Sequence, residues 1–453
     1  MEKIKIAYLG GGSKQWARTF MKDLALSKDL SGEIGLYDID IESAIRNKKI
    51  GQRINQLPQT NSKFEYVVYE HLEDCLKEAT FVVISILPGT FEEMRSDVHT
   101  PEKYGIYQSV GDTAGPGGVL RAMRTVPIYE EFAQKIKEVC PKAWVINFTN
   151  PMSICVKTLY DVFPKIRAFG CCHEVFHAQQ FLCLVLEKIK GIKVDRKDIY
   201  TDACGVNHFT WITEAKYKNM DLLSYIPDFM KEYYEEGYYE YKDRFQYKTD
   251  CFAYGNKVKM DMYRRYGVLA AAGDRHLAEF VNPKWYLKDP KTVVDQWKFN
   301  LTTVDFRVNQ MNERIAESIA LAEGKKQIEL EASGEEATDL MKAILGLKVV
   351  VSNVNMPNQG QCPQLPLGAI VETNCVFEND QVKPVVSKPL PLAVLHMVQS
   401  ASNNIDTLYE GIKNRDLDQI FACFMNQALC SCLSLEEGKA LFKEMIQNTR
   451  TYL

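Results

Sequence analysis

No stretch of this 453-residue sequence stays apolar long enough to cross a bilayer. Runs such as FVVISIL at 81–87 fall far short of the roughly 20 residues a spanning helix needs. The opening MEKIKIAYLGGG breaks into glycines too early to be a signal peptide. No long run of one charge sign is present either: 55 Lys and Arg stand against 59 Asp and Glu, a formal net charge of -4. That balance excludes a basic nucleic-acid arm and an acidic tail. No internal repeat is visible. These absences describe a soluble cytoplasmic protein with neither nucleic acid nor membrane as partner. The 13 cysteines are odd in number, so most are expected as reduced thiols rather than a disulfide framework. Cys423, Cys430 and Cys432 read as buried helix positions.

What is present is a 46% hydrophobic chain, ample for two or three cores at about 150 residues per domain. In the first half, short β-rich runs alternate with helical patterns, the signature of a parallel sheet built from βαβ units. Candidate strands lie at 4–10, 33–40, 80–87, 143–149 and 166–172. Trp16, Phe20 and Leu24 recur every four residues and share one helix face. The fold expected is α/β: a Rossmann-like doubly wound sheet over residues 1–200, like that of lactate and malate dehydrogenases, binds a nucleotide. An α+β domain over 201–453 closes over the sheet's carboxyl edge. The Tyr-rich segment 232–247 reads as an interface, a pocket rim or a plain surface helix.

YLGGGSKQW at 8–16 follows an apolar strand and opens a helix, where a glycine-rich turn and a helix N-terminus hold a pyrophosphate. Gly10, Gly11, Gly12 and Ser13 form the turn, although Gln15 stands where a third glycine would complete the fingerprint. Asp38 ends the next strand, the place for a carboxylate that accepts ribose hydroxyls and favours NAD over NADP. A tight turn beside a solvated Asp is the simpler alternative.

In such a sheet chemistry lies beyond the carboxyl ends of the strands. Polar clusters end strands at NFTNP (147–151), GCCHEVF (170–176) and GVNHFTW (205–211). Two adjacent cysteines, a histidine and a glutamate in GCCHEVF leave open a metal site, a nucleophile, a redox pair or a buried strand end. Cys172 and His208 suit a divalent transition ion with open positions; a buried thiol and a core histidine are the alternative.

Six segments, GGGS (10–13), GDTAGPGGVLRAMRTVP (111–127), NFTNPM (147–152), CCHEVF (171–176), GVNHFTW (205–211) and AAGDRHLAEF (271–280), occur in order. Together they resemble glycoside hydrolase family 4, the NAD- and divalent-metal-dependent glycosidases. With VNMPNQGQ (354–361) the set is most similar to the α-galacturonidase-type branch. The resemblance implies NAD and Mn²⁺ as cofactors, with Co²⁺, Ni²⁺ or Fe²⁺ as substitutes. It also implies Cys172 and His208 as metal ligands, a small sugar or uronic-acid glycoside as substrate, and a homodimer or homotetramer. Cys171 would face the core. His173 would meet a substrate hydroxyl or deliver a proton to the leaving oxygen, or else cap the following helix. Glu174 is divided between a helix N-terminal carboxylate and a catalytic one.

Such NAD-dependent members depart from the two-carboxylate rule of glycosidases. The resemblance implies hydride removal from sugar C3, metal-assisted C2 deprotonation, elimination at O1, addition of water and return of the hydride. Asp261 is the expected C2 base, with Tyr263 and Tyr266 in the same MDMYRRYG segment as alternatives. Asn150, Arg275 and His276 are expected at the substrate, and a uronate needs an arginine partner from among Arg275, Arg121 and Arg95. Other sugars of the same family (α-glucosides, α-galactosides, α-glucuronides) remain open, as do a malate- or lactate-type dehydrogenase and a non-catalytic NAD-sensing protein.

Overall fold

The β-branched and aromatic run EKIKIAYL forms strand β1 (Glu2–Leu9), and its residues alternate between two apolar layers. Ile4, Ile6 and Tyr8 face one, packing against Phe20 and Leu24, while Ala7 and Leu9 face the other beside Val82 and Ile84. Burial on both faces is what a central parallel strand requires, and each fully buried Leu or Ile stabilises by ~1.5–3 kcal/mol. In this computed structural model, which describes residues 1–239 and 243–452, β1 is the centre of a parallel sheet. The parallel strands are β2 (Leu30–Tyr37), β3 (Phe64–Tyr69), β4 (Phe81–Ile84), β5 (Trp144–Asn147) and β6 (Arg167–Gly170), in the order β3-β2-β1-β4-β5-β6. That is the doubly wound order, whose switch point lies between β1 and β4.

Three of the five expected strands contain β4, β5 and β6. The first and second overlap β1 and β2, which start earlier and end at Leu9 and Tyr37. β3 went unread although its FEYVVY run follows the turn residues Pro58, Asn61 and Ser62. The helix Trp16–Leu26 buries Ala17, Phe20, Met21 and Leu24, and its first residue leaves that face. Trp16 instead stacks between Phe148 and His173.

The second half does not form a separate sheet. The remaining strands are β7 (Tyr200–Val206), β8 (Phe209–Tyr217), β9 (Met220–Asp221), β10 (Leu269–Ala270), β11 (Val350–Pro357), β12 (Ile370–Glu378) and β13 (Gln381–Pro384). β11 joins β6 antiparallel through Asn355 and Gly170, and β12, β7 and β8 continue outward, so that among the described residues 13 strands form one sheet. C-terminal helices Leu392–Lys413, Leu417–Met425 and Leu435–Thr449 share one apolar cluster with Trp211 and the helix Gly115–Val139.

Two expectations need correction, for Cys432 and for the Tyr-rich segment, whereas most cysteines are free as expected. Cys423 and Cys430 are buried, but Cys432 is exposed, in a short 3₁₀ turn. Eleven cysteines are free, and Cys204 is joined to Cys362. In the Tyr-rich segment, Tyr238 packs edge-on against Phe229 and Tyr233, Tyr233 lies tilted on Phe229, and Tyr247 is 2% exposed. These rings serve the interior; residues 240–242 of that segment lie outside the described ones. Among the described residues no helix is long and apolar enough to cross a membrane.

Candidate active site

At the switch point the glycine turn is held from within. The Gly10 and Gly11 amides both donate to the Tyr37 carbonyl, and the Gly12 amide donates to Asp38 Oδ2 at 2.7 Å. The glycines therefore act by permitting close approach. A Cβ on Gly10, at φ +96°, would fall 2.0 Å from the Ser85 carbonyl, and one on Gly12 2.8 Å from the Asp38 carboxylate. Such a backbone crevice at a helix N-terminus fits a dinucleotide pyrophosphate. Ser13 Oγ accepts the Trp16 amide and so starts the helix. Asp38 also accepts the Asp40 amide, which fixes the carboxylate at the mouth of the crevice.

From this turn Trp16 leads to the centre, its ring stacked 6.0 Å from that of His173. His173 precedes the helix Glu174–Lys190 and makes no capping bond with its side chain, so the capping alternative does not hold. Burial pushes His173 down to about 4. Glu174 is the hub. It is 5% exposed, accepts the Gly273 amide at 2.6 Å, and lies 3.5 Å from His276, 3.7 Å from His177 and 3.8 Å from His173. Burial alone would raise its pKa, but His276 and His177 hold the carboxyl well below the usual range. A helix N-terminal charge needs no such surround.

His208 lies in the two-residue turn between β7 and β8 at φ +64°. That left-handed conformation is one a non-glycine residue adopts at a cost of ~1–3 kcal/mol. The turn aims the imidazole at His276, with ring centroids 3.8 Å apart. Asp112 completes a group in which one ligand atom each from Asp112, His208 and His276 lies within 4.8 Å of the others. Burial lowers both histidines, His276 to about 3, so both imidazoles are neutral and able to ligate. The Nδ1 atoms of His208 and His276 are buried without a partner, as are both amide atoms of Asn207.

Cys172 Sγ stands outside that group but beside Asn207 and the Glu174 amide, and burial with Glu372 and Glu174 nearby pushes its thiol well up. Cys171 is only half-buried but packs on the core, as expected. The donor set of imidazoles, carboxylate and thiol fits a divalent transition ion.

The remaining expected residues divide. Asn150 Oδ1 is buried and unpartnered, and its carbonyl accepts Arg121 Nε at 2.9 Å. Arg275 adjoins the centre, its Nη1 on Thr302 Oγ1 at 2.6 Å. Arg95 is a surface residue paired with Asp305. Asp261 must be corrected. Its two oxygens accept from Tyr234, Arg264, Arg265 and Tyr286, none of them in the cluster. It is a buried anchor for its own helix, and its carboxylate is saturated. Tyr263 donates to the Leu223 carbonyl and Tyr266 packs edge-on against Trp211, so neither replaces it. Tyr254 does reach the neighbourhood, 6.4 Å from His177 and against Gly273. The sequence reading missed Asp112, Glu279 and Arg307. Asp112 was visible as the acid of GDTAGPGG, but Arg307 sits in an unremarkable amphipathic helix.

The profile of family 4 glycosyl hydrolase matches residues 5–188, and that of its C-terminal domain matches residues 203–430. The chain is similar to an alpha-galacturonidase of Thermoanaerobacter italicus, 49% identical over 453 residues, covering 100% of this chain and 98% of the relative. It is likewise similar to an alpha-galacturonidase of Thermoanaerobacterium saccharolyticum, 50% identical over 451 residues, with 99% and 96% covered. A crystal structure from Bacillus subtilis described as a glucosidase superposes with a TM-score of 0.92 at 42% identity, over 98% of this chain and 100% of the other.

Proposed function

Since the chain belongs to family 4 of the glycosyl hydrolases, we propose that it is an α-galacturonidase, cleaving the α-glycosidic bond of galacturonides with NAD and Mn²⁺. Full-length relatives at 49% and 50% identity carry that activity in their names. The structural observation that carries the reading is the Asp112, His208 and His276 group beside the buried Glu174. Stacked Trp16 and His173 lead to it from the glycine turn. A dehydrogenase needs the turn but has no use for the donor set.

In this reading residues 1–200 hold the dinucleotide through Gly10, Gly11, Gly12, Ser13 and Asp38, while residues 201–453 contribute His208, Arg275 and His276. Bound in that turn, NAD would supply hydride transfer, and Mn²⁺ would supply Lewis-acid polarisation of the sugar's oxygens. His208 with Cys172 would hold the ion, joined by Asp112 and His276. Asn150, its amide oxygen unpartnered, receives a sugar hydroxyl. Neutral His173 takes the proton of the C3 hydroxyl or returns one to the leaving oxygen. Glu174 and Tyr254 are the groups placed to accept the C2 proton once Asp261 is set aside. The same reading carries with it a cytoplasmic homodimer or homotetramer, which light scattering checks.

The decisive experiment follows 4-nitrophenol release from the α-D-galacturonide, galactoside, glucoside and glucuronide, with NAD and Mn²⁺ each present or omitted. Cleavage of the galacturonide that requires both, without accumulation of NADH, is expected. Accumulation of NADH with a free hydroxy acid and no cleavage would establish a dehydrogenase instead.

A further inference from the structure

The segment Ser109–Asp112 leads into the metal-type group and is gripped from three sides. Ser109 Oγ donates to the Arg275 carbonyl, and the Val110 and Gly111 amides donate to Glu279 at 2.7 and 2.9 Å. The Val110 carbonyl accepts Arg307 Nη2 at 3.4 Å. Arg307 comes from the helix Val304–Glu323 and Arg275 from the helix Asp274–Ala278, so two separate elements bring an arginine to this segment, Arg275 by its backbone carbonyl and Arg307 by its guanidinium, and the two guanidinium charges act on each other.

These arginines differ from the others near them. Arg95 and Arg124 are each paired with an aspartate, whereas Arg121, Arg275 and Arg307 have no carboxylate within 4.0 Å among the described residues. Arg307 Nε is buried without a hydrogen-bond partner. Arg275, 8% exposed, is fixed by Thr302 on one side and by the face of Phe252 at 4.7 Å on the other. Asp112 and Glu279 are the carboxylates whose charge reaches Arg307, and Arg121 and Arg275 are the cations that press on it. Asp112, Glu279 and Glu174 balance these three guanidinium groups only at a distance, since none of them forms an ion pair with Arg275 or Arg307 among the described residues. Buried charge without a counter-ion is costly, so the site is built to receive an anion. That anion is not the cofactor's pyrophosphate, whose turn is held by Tyr37 and Asp38.

We propose that Arg275 and Arg307 grip the carboxylate of the uronic acid, and that Arg307, with its buried Nε unpartnered, sets the preference for acidic over neutral sugars. This rests on the galacturonide reading and adds the residue that enforces it. Arg121 is excluded because its Nε already holds the Asn150 carbonyl; it positions Asn150. A planar guanidinium gives the fork that a carboxylate accepts with two oxygens, and Phe252 keeps the Arg275 fork in one orientation.

Calorimetric binding to the NAD- and Mn²⁺-loaded protein tests the proposal without relying on turnover. Wild type should bind D-galacturonate at least tenfold more tightly than D-galactose or methyl D-galacturonate, whose carboxylate charge is absent. Arg307→Gln should abolish that preference, and Arg307→Lys should restore part of it, since an ammonium keeps the charge but loses the fork. NAD affinity equal to wild type shows each variant folded; if Gln fails this check, the ester comparison in wild type and the Lys variant decide. Equal wild-type affinity for acid and ester, or a preference unchanged in a folded variant, overturns the clamp. Loss of galacturonate selectivity in Arg307→Gln while wild type cleaves no galacturonide would support the clamp and strike the hydrolase reading alone.

Discussion

Cys172 carries two facts that pull against each other: a thiol pushed well above its ordinary pKa by burial, and a place beside Asn207, the residue before His208. A thiol ligates as the thiolate, so a divalent ion must displace its proton. Mn²⁺ binding is therefore expected to strengthen up to tenfold per pH unit between 6 and 8. Calorimetry in buffers of different ionisation heat should show about one proton released. Cys172→Ser should lose that release and most turnover while still binding NAD; full turnover in the variant would remove Cys172 from the metal.

Glu372 supplies a second test at this scale. It is fully buried, and burial pushes it up to about 7 against Thr210 and Asn355, which donate to it. A raised folded-state value means the proton is held more tightly when folded. Its stabilisation is complete below about pH 4.5 and is lost as pH rises through 7, an effect of order 3 kcal/mol. Glu372→Gln should flatten the fall of Tm between pH 5 and 8; an unchanged slope would show the carboxyl to be ionised throughout.

Among the elements, the glycine turn is the least tolerant of change. Gly10→Ala places a methyl 2.0 Å from the Ser85 carbonyl at φ +96°. The turn must then move away from β4, at a cost of about 3–5 kcal/mol. Urea denaturation should show that loss together with a loss of NAD binding, because the crevice and the strand contact are one geometry. The helices Phe91–His99 and Gly115–Val139 are joined by the buried Asp97–Arg124 pair. Arg124→Met strands a buried carboxylate and should destabilise by about 3–5 kcal/mol, whereas Arg95→Met, on the surface, should change stability by less than about 1 kcal/mol. Period-2 alternation and helix-face spacing made most of these elements legible. β3 was missed although its strand signal follows the turn residues Pro58, Asn61 and Ser62, and Trp16 was assigned to a core face because spacing alone cannot tell a packed ring from one turned towards a site.

For the whole molecule, the single sheet couples the halves. β6 would be an edge strand in residues 1–200 alone, but β11 covers it in the chain. A fragment of residues 1–200 should therefore be poorly soluble and bind NAD weakly, because an uncovered edge invites association. A monomeric, NAD-binding fragment would show that the parallel half stands alone. The active centre has the same dependence, since Asp112 and Glu174 come from the first half and His208 and His276 from the second.

The sequence by itself determined the doubly wound sheet, the glycine turn with Asp38, and the membership that six ordered motifs carry, because those follow from local periodicity and from short segments whose residues act together. It also named Cys172, His173, His208, Arg275 and His276, which lie within such segments. Only the tertiary structure decided that Asp112 joins the two histidines, that Glu174 is the hub among imidazoles and that Asp261 is saturated by its own helix and two tyrosines. It alone decided that Arg307 reaches the centre from far along the chain. Charge balance and hydrogen-bond saturation are properties of neighbours in space, and no spacing along the chain records them.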